Sequence, residues 1–460
     1  MNSGINHNKF LELRSEYPSF EYQSYSIKRT NQRLEFSFLF TMGDVEFRPS
    51  YSIPLRDFYR IDELEPEVLD SLVFHIGMVE LVSYWKAACP PKVIVKPHAL
   101  DDRQIAFWKK LYFNGLGEFF YLNGIRTSLE DFMHIEPEGE KLEFFGVTTE
   151  EDKVMVPVGG GKDSVVTLEL LKHSGDKIIP MAVNPREAVV RTIETAGFGM
   201  EDTVVVNRKL DKKLLELNEL GFLNGHTPFS ALLAFVTLFS AVLSGIKYVA
   251  LSNESSANES TVPGSGINHQ YSKSFEFELD FVRYVSGYMT RDVHYFSFLR
   301  PLNELQIGAL FSRFPQHHLS FRSCNAGSKN DTWCGYCPKC LFTRIILGPF
   351  IDQEMMRKIF GKELLDDVSL ERYFDELTGK AAVKPFECVG TPDEVTASLG
   401  KIRKQWKGRV PALLERFELP ENGERDFDLL LCAFNKENNL PEKYMKIIQQ
   451  EIKTLGSCRS

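Results

Sequence analysis

Apolar residues recur at strand-like spacing over residues 22–27 and 34–42. Met42-Gly43-Asp44 predicts the turn into a further strand over 45–53. The spacing becomes helical over 66–88, where Val68, Leu69, Leu72, Ile76, Val79 and Val82 recur, and a second helix is predicted over 104–120. Beyond Glu150 short apolar runs alternate with helical ones. Strands are predicted at 153–158, 178–183, 203–206 and 247–251, and helices at 165–172, 186–196 and 228–243. Such alternation implies α/β architecture, a mostly parallel sheet with helices on both faces. Ligands gather at the carboxyl ends of strands in such sheets. The loops 159–164 and 252–259 both fall at that edge.

Beyond residue 345 the pattern is helical and charged, at 352–360, 371–378 and 396–406, with a break at Gly390-Thr391-Pro392 and a polar tail after Lys436. The pattern divides the chain into an α+β domain over 1–145, an α/β domain with a cysteine cluster over 150–345, and a mainly helical region over 346–460. No internal repeat is visible. Residues 227–246 contain no charge over 20 positions, long enough to span a bilayer. Ser230, Thr237, Ser240 and Ser244 keep the segment only moderately apolar, so it reads as a buried helix. No second segment looks comparable.

Composition narrows the classes. The 460 residues have 43% hydrophobic and 25% charged positions, a globular balance that excludes collagen-like and low-complexity chains. A net charge of −9 gives no general electrostatic hold on nucleic acid. The opening MNSGINHNKF has no apolar signal core, so a cytoplasmic protein is expected, with no membrane partner. Four of the eight cysteines fall within 17 positions, a distribution suited to a metal site in a reducing compartment.

Two motifs carry candidate chemistry. Gly159-Gly160-Gly161-Lys162-Asp163-Ser164 stands between a predicted strand and helix. Three glycines let backbone N–H groups approach a phosphate, and the helix N-terminus adds its dipole. Lys162 supplies a point charge and Ser164 a hydroxyl. The spacing matches neither the Walker A pattern nor the dinucleotide fingerprint. The second motif is Cys324, Cys334, Cys337 and Cys340, spaced C-x9-C-x2-C-x2-C. Four thiolates suit a structural zinc; an iron–sulfur cluster and unliganded packed thiols are the alternatives.

The glycine motif resembles the PP-loop of the ATP pyrophosphatase family, whose usual form is SGGxDS. Gly160, Gly161, Asp163 and Ser164 match it, and Gly159 replaces the serine. That family cleaves ATP between the α- and β-phosphates. The resemblance implies an adenosine contact at Asn184. Taken with Leu251-Ser252-Asn253-Glu254-Ser255-Ser256-Ala257-Asn258, Leu299-Arg300-Pro301-Leu302, Cys334-Gly335-Tyr336-Cys337-Pro338-Lys339-Cys340 and Glu387-Cys388-Val389-Gly390, the chain resembles the MurL family over nearly its whole length. That resemblance implies an ATP-consuming epimerase of peptidoglycan precursor synthesis. It would convert the terminal L-glutamate of UDP-MurNAc-L-Ala-L-Glu to D-glutamate, with AMP and diphosphate released.

On that reading Gly159, Gly160, Gly161 and Ser164 hold phosphate and Lys162 stabilises transferred charge. Asp163 and Glu254 are candidate Mg²⁺ ligands. Ser252, Asn253 and Asn258 face the substrate, and Arg300 and Arg322 suit its side-chain carboxylate or the UDP phosphates. His226, His269, Glu276 and Cys388 are all eligible bases. The alternative enzyme is a PP-loop tRNA- or nucleobase-modifying pyrophosphatase, a thiolase or a 7-cyano-7-deazaguanine synthase-like protein. A zinc-stabilised binding protein is a third class. Oligomeric state is not indicated.

Overall fold

The computed structural model describes residues 3–56, 58–262, 264, 266–327, 330–418 and 423–456. Pro263 and Ser265, in the glycine-containing run before His269, lie outside the described residues, as does Cys458. The fold is mixed α/β and forms two compact units, each assembled from separated stretches of chain. The first takes the chain up to Glu151 with Val204–Val249 and Tyr271–Tyr295. The second takes Asp152–Thr203, Ala250–Gln270 and the chain from Phe296 onward.

In the first unit the strands run in the order Val204–Lys209, Ser50–Pro54, Arg33–Met42, Ser19–Arg29, Lys92–Val95 and His134–Pro137, with Val45–Phe47 beside Arg33–Met42. Period two turns alternate side chains of Arg33–Met42 inward, burying Leu34, Phe36, Phe38, Phe40 and Met42. Helix Pro66–Trp85 packs on this layer. The rings of Tyr22 and Phe74 stack at 5.7 Å. A Cβ on Gly77 would lie 2.1 Å from the Tyr22 hydroxyl oxygen, so this close approach requires glycine.

The run expected as one strand over 45–53 is two, Val45–Phe47 and Ser50–Pro54, parted at Pro49, which has no N–H for a ladder. The helix expected over 104–120 is also two, Asp102–Gly115 and Gly117–Leu122.

The uncharged segment forms helix Phe229–Leu243, whose 15 residues are fewer than the ~20 a span needs. The Thr237 and Ser240 hydroxyls donate to the Ala234 and Val236 carbonyls at 2.9 and 2.7 Å, so their polarity is satisfied inside the helix. The expectation of no comparable segment is corrected by Pro66–Trp85. That helix has 20 residues and is long and apolar enough to cross a membrane, yet 89% of its apolar window is buried within the protein. Its buried His75 and Glu80 are partnered, whereas the Ser71 hydroxyl has no partner among the described residues. His75 Nδ1 lies 2.6 Å from the Ser71 carbonyl and Nε2 3.0 Å from the Tyr284 hydroxyl. Glu80 receives a two-pronged ion pair from Arg208 at 2.7 and 2.8 Å.

In the second unit Glu150–Pro157 and Lys177–Val183 pair in parallel, Val154 beside Ile178 and Val156 beside Pro180. Helices Lys162–Leu171 and Glu187–Thr195 follow these strands in turn. Gly390-Thr391-Pro392, expected as a break, is a helix start. Thr391 and Glu394 form a capping box, so the helix runs Pro392–Gln405. The polar tail after Lys436 contains helix Glu442–Leu455, anchored by buried Tyr444, Ile448 and Ile452. Cys432 is disulfide-bonded.

Candidate active site

Strand Glu150–Pro157 leads through Val158 into the three glycines, and helix Lys162–Leu171 begins immediately after them, three residues earlier than the pattern predicts. Gly160 adopts φ +79°, and a Cβ there would lie 3.1 Å from backbone atoms of Ala188 and Val189. A Cβ on Gly161 would lie 2.7 Å from Ser323 Oγ. Gly159 is exposed with nothing within 4 Å of a Cβ position, so packing does not exclude the serine usual there. The Arg322 N–H donates to the Gly160 carbonyl at 2.8 Å and pins the loop. Gly161 caps the helix without any side-chain acceptor. The first-turn N–H groups and dipole therefore face the loop, as anion binding requires. Ser164 Oγ donates to the Gly161 carbonyl at 2.9 Å.

Lys162 is the centre of the charge arrangement. Its ammonium donates to Asp163 and to Glu304, and the Lys162 and Glu304 side chains are only 2% and 3% exposed. Burial disfavours the lysine charge, but Asp163 and Glu304 outweigh it and hold the ammonium above its ordinary range. Burial pushes Glu304 up to about 7. Asp163 and Glu254 push the same way, while Lys162 and Lys339 oppose them. Glu394 is likewise pushed up to about 7, first by burial and then by Glu304 and Glu254 against the hydrogen bonds from Thr391. Its carboxylate accepts from the backbone N–H groups of Glu304 at 2.6 Å and Thr391 at 2.5 Å. Asp163 remains about one-third exposed.

The other expected site residues divide. Asn184 is exposed at the end of Lys177–Val183, at φ +47°. The Ser252 hydroxyl is buried with no hydrogen-bond partner among the described residues. Asn253 donates to Ser297 Oγ at 3.0 Å, and Asn258 is exposed. Glu254 is buried. One of its oxygens accepts from Ser256 Oγ at 2.8 Å and the Ala257 N–H at 3.2 Å, so it caps the short turn Ser255–Asn258 and fits the Mg²⁺ role less well than Asp163.

The two arginines are held by main-chain and hydroxyl oxygens. Arg300 is fully buried and donates to the Glu254 carbonyl at 2.6 Å and Ser297 Oγ at 3.2 Å, which makes it a strut under the 252–258 loop. The Arg322 guanidinium donates to the Leu319, Phe321 and Asp331 carbonyls at 2.9, 2.7 and 3.1 Å. Among the eligible bases, His226 and Glu276 belong to the first unit, where Lys110 holds Glu276 at 2.7 Å. His269 and Cys388 belong to the second. There burial raises the Glu387 carboxyl, which senses Lys339, Cys388 and His269.

Sequence reading missed Glu304, Glu394 and Lys339. Glu394 was visible as the last residue of a T-x-x-E capping box. Nothing local signals that Glu304 faces Lys162, 142 positions earlier.

The four cluster cysteines bring their sulfurs within 4.8 Å of one another. The close pairs, Cys324–Cys337, Cys334–Cys340 and Cys337–Cys340, are 3.8, 3.7 and 3.5 Å apart. Thiolates ~2.3 Å from one tetrahedral ion stand ~3.8 Å apart, so the cage has the dimensions for a single ion. A multi-iron cluster needs a wider one. The Gly327 and Cys334 N–H groups support Cys324 Sγ from behind, at 3.1 and 3.4 Å. Cys337 caps helix Pro338–Leu347, which carries Lys339 and Cys340.

A family model for the MurL N-terminal domain matches residues 12–298, and one for the MurL C-terminal domain matches 320–424. Three curated relatives carry the name UDP-N-acetyl-α-D-muramoyl-L-alanyl-L-glutamate epimerase. The protein from Xanthomonas oryzae pv. oryzae is 33% identical over 350 residues, 74% of this chain and 76% of its own. That from Salinispora tropica is 32% identical over 412, covering 86% and 88%. That from a Micromonospora species is 33% identical over 402, covering 84% and 87%. No solved structure matches. Both family domains and relatives aligned over most of their lengths lead to one conclusion: the chain belongs to the MurL family of epimerases.

Proposed function

We propose that the protein inverts the terminal L-glutamate of UDP-MurNAc-L-Ala-L-Glu for peptidoglycan precursor synthesis, and that it consumes ATP through an acyl-adenylate. The names of its relatives support the substrate. The observation that carries the ATP reading is the uncapped N-terminus of Lys162–Leu171, set behind Gly160 and Gly161 with the Lys162 ammonium buried beside it. This strand–glycine loop–helix arrangement, with a parallel neighbour strand, fits a PP-loop fold.

The chemistry needs such a site. Removing the α-proton next to a free carboxylate creates nearly a dianion. If the α-carboxylate oxygen attacks the α-phosphorus of ATP, diphosphate leaves and the uncharged acyl carbonyl of the acyl-AMP becomes the electron sink. The helix N-terminus and Lys162 stabilise the charge on the transferring phosphoryl. A base then takes the α-proton, an acid returns one to the opposite face, and water cleaves the acyl-phosphate bond to give AMP and the D-glutamate product.

Asp163 would hold Mg²⁺, which neutralises phosphate oxygens when bound. Cys324, Cys334, Cys337 and Cys340 would hold a structural Zn²⁺.

The test is exchange of the glutamate α-proton in D₂O. Exchange should require ATP, accompany release of AMP and diphosphate, and stop with an analogue blocked between the α- and β-phosphates. Deuterium entering without ATP would show an ordinary two-base racemase and overturn the adenylate.

A further inference from the structure

Glu304 lies outside every motif that marks the glycine loop, yet it makes the most enclosed contact with it. Its carboxylate meets the Lys162 ammonium where both side chains are almost wholly buried, whereas Asp163, the other partner, is about one-third exposed. Glu304 is itself held. It opens helix Glu304–Phe311, whose N-cap Asn303 forms a capping box with Gln306, and its N–H donates to Glu394. A Cβ on Gly390 would lie 2.6 Å from Glu394 Oε2 and 3.1 Å from Glu304 Cγ, so that backbone closes over both acids. The groups facing Glu304 are Lys162 and Asp163 from the loop helix, Glu254 from the 252–258 loop, Lys339 from Pro338–Leu347, and Glu394 from Pro392–Gln405.

We propose that Glu304 is a positioning residue that fixes the Lys162 ammonium at the start of its helix, with Glu394 and Gly390 as its backing. A lysine carries four rotatable bonds, and a buried carboxyl acceptor at a fixed helix end selects one orientation. Asp163 alone, adjacent in the chain and open to solvent, imposes less. The C-terminal segment 390–394 thereby acts on the glycine loop without touching substrate. This rests on the reading of that loop as the site of phosphoryl chemistry.

The test is a double-mutant cycle on full-length enzyme, scored by epimerisation rate with AMP release followed in parallel. Glu304→Gln should lower kcat by ~10–100-fold, the scale of a misplaced catalytic group, with the KM for ATP changed by less than about threefold. Glu304→Asp should recover part of the rate. In a Lys162→Met background, Glu304→Gln should cost less than about twofold more, because Glu304 acts through the lysine. Losses that multiply would overturn the proposal, as would a change in KM alone. Should Glu304→Gln fail to fold, Glu394→Gln must show the same non-additivity with Lys162→Met. If wild-type enzyme epimerises without releasing AMP, the ATP reading fails, while the cycle still scores Glu304.

Discussion

Gly159, Gly160 and Gly161 are one residue type in three situations. Only Gly160 combines a left-handed backbone with backbone atoms of Ala188 and Val189 at 3.1 Å, and only Gly159 faces open space. Gly160→Val should therefore lose most epimerase activity and cost ~1–3 kcal/mol of backbone strain, whereas Gly159→Ser should keep both activity and melting temperature. Melting curves and initial rates of the two variants check this, and equal losses in both would contradict it. The glycine run was legible because local sequence announces a strand, a loop and a helix. Which glycine is indispensable was not, because the atoms that decide it come from residues 188, 189 and 323. Lys162 was legible as a charge, but its enclosure by Glu304 depends on a tertiary contact. Arg300 and Arg322 looked like ligand forks for the same reason: nothing local shows that backbone carbonyls accept from both guanidiniums.

Among elements, the cysteine cluster shows how spacing becomes geometry. A two-residue gap puts Cys337 at the N-cap and Cys340 in the first turn of Pro338–Leu347, while Cys324 and Cys334 arrive from the preceding loop. Pro338 at the first helical position fixes the entry. Purified protein should carry about one zinc per chain. Cys337→Ser should release it and lower the melting temperature by more than ~5 °C. Metal analysis and calorimetry check both. Stoichiometric iron with visible absorbance would replace zinc by a cluster. Spacing made this element readable, whereas Glu442–Leu455 was hidden. Three buried residues at i, i+4 and i+8 anchor that helix, and charged positions between them mask the period. The start at Pro392 was ambiguous, since Gly-Thr-Pro signals a turn as well as a cap.

Across the whole molecule, three buried groups, His75 in the first unit and Glu304 and Glu394 in the second, respond in opposite senses to pH. In the first unit, burial pushes His75 down to about 4 from its ordinary 6.5, against its hydrogen bond to Ser71. The unfolded chain binds that proton more readily, so His75's contribution is complete above pH 6.5. It is lost as pH falls toward 4, by about 3 kcal/mol in all. In the second unit, burial pushes Glu304 and Glu394 up to about 7 from 4.5. The folded state holds their protons more tightly, so their contribution is complete below pH 4.5 and is lost as pH rises through 7. Between pH 4.5 and 6.5 the contribution of His75 should grow while those of Glu304 and Glu394 shrink. Hydrogen exchange, corrected for intrinsic rates and read by mass spectrometry, can separate them. Amides of Pro66–Trp85 and Phe229–Leu243 should become better protected with rising pH, and those of Glu304–Phe311 and Pro392–Gln405 less. His75→Gln should flatten the first trend alone, and Glu394→Gln should weaken the second alone. A common slope in both sets of amides would mean that surface charges, not these buried groups, govern the pH response.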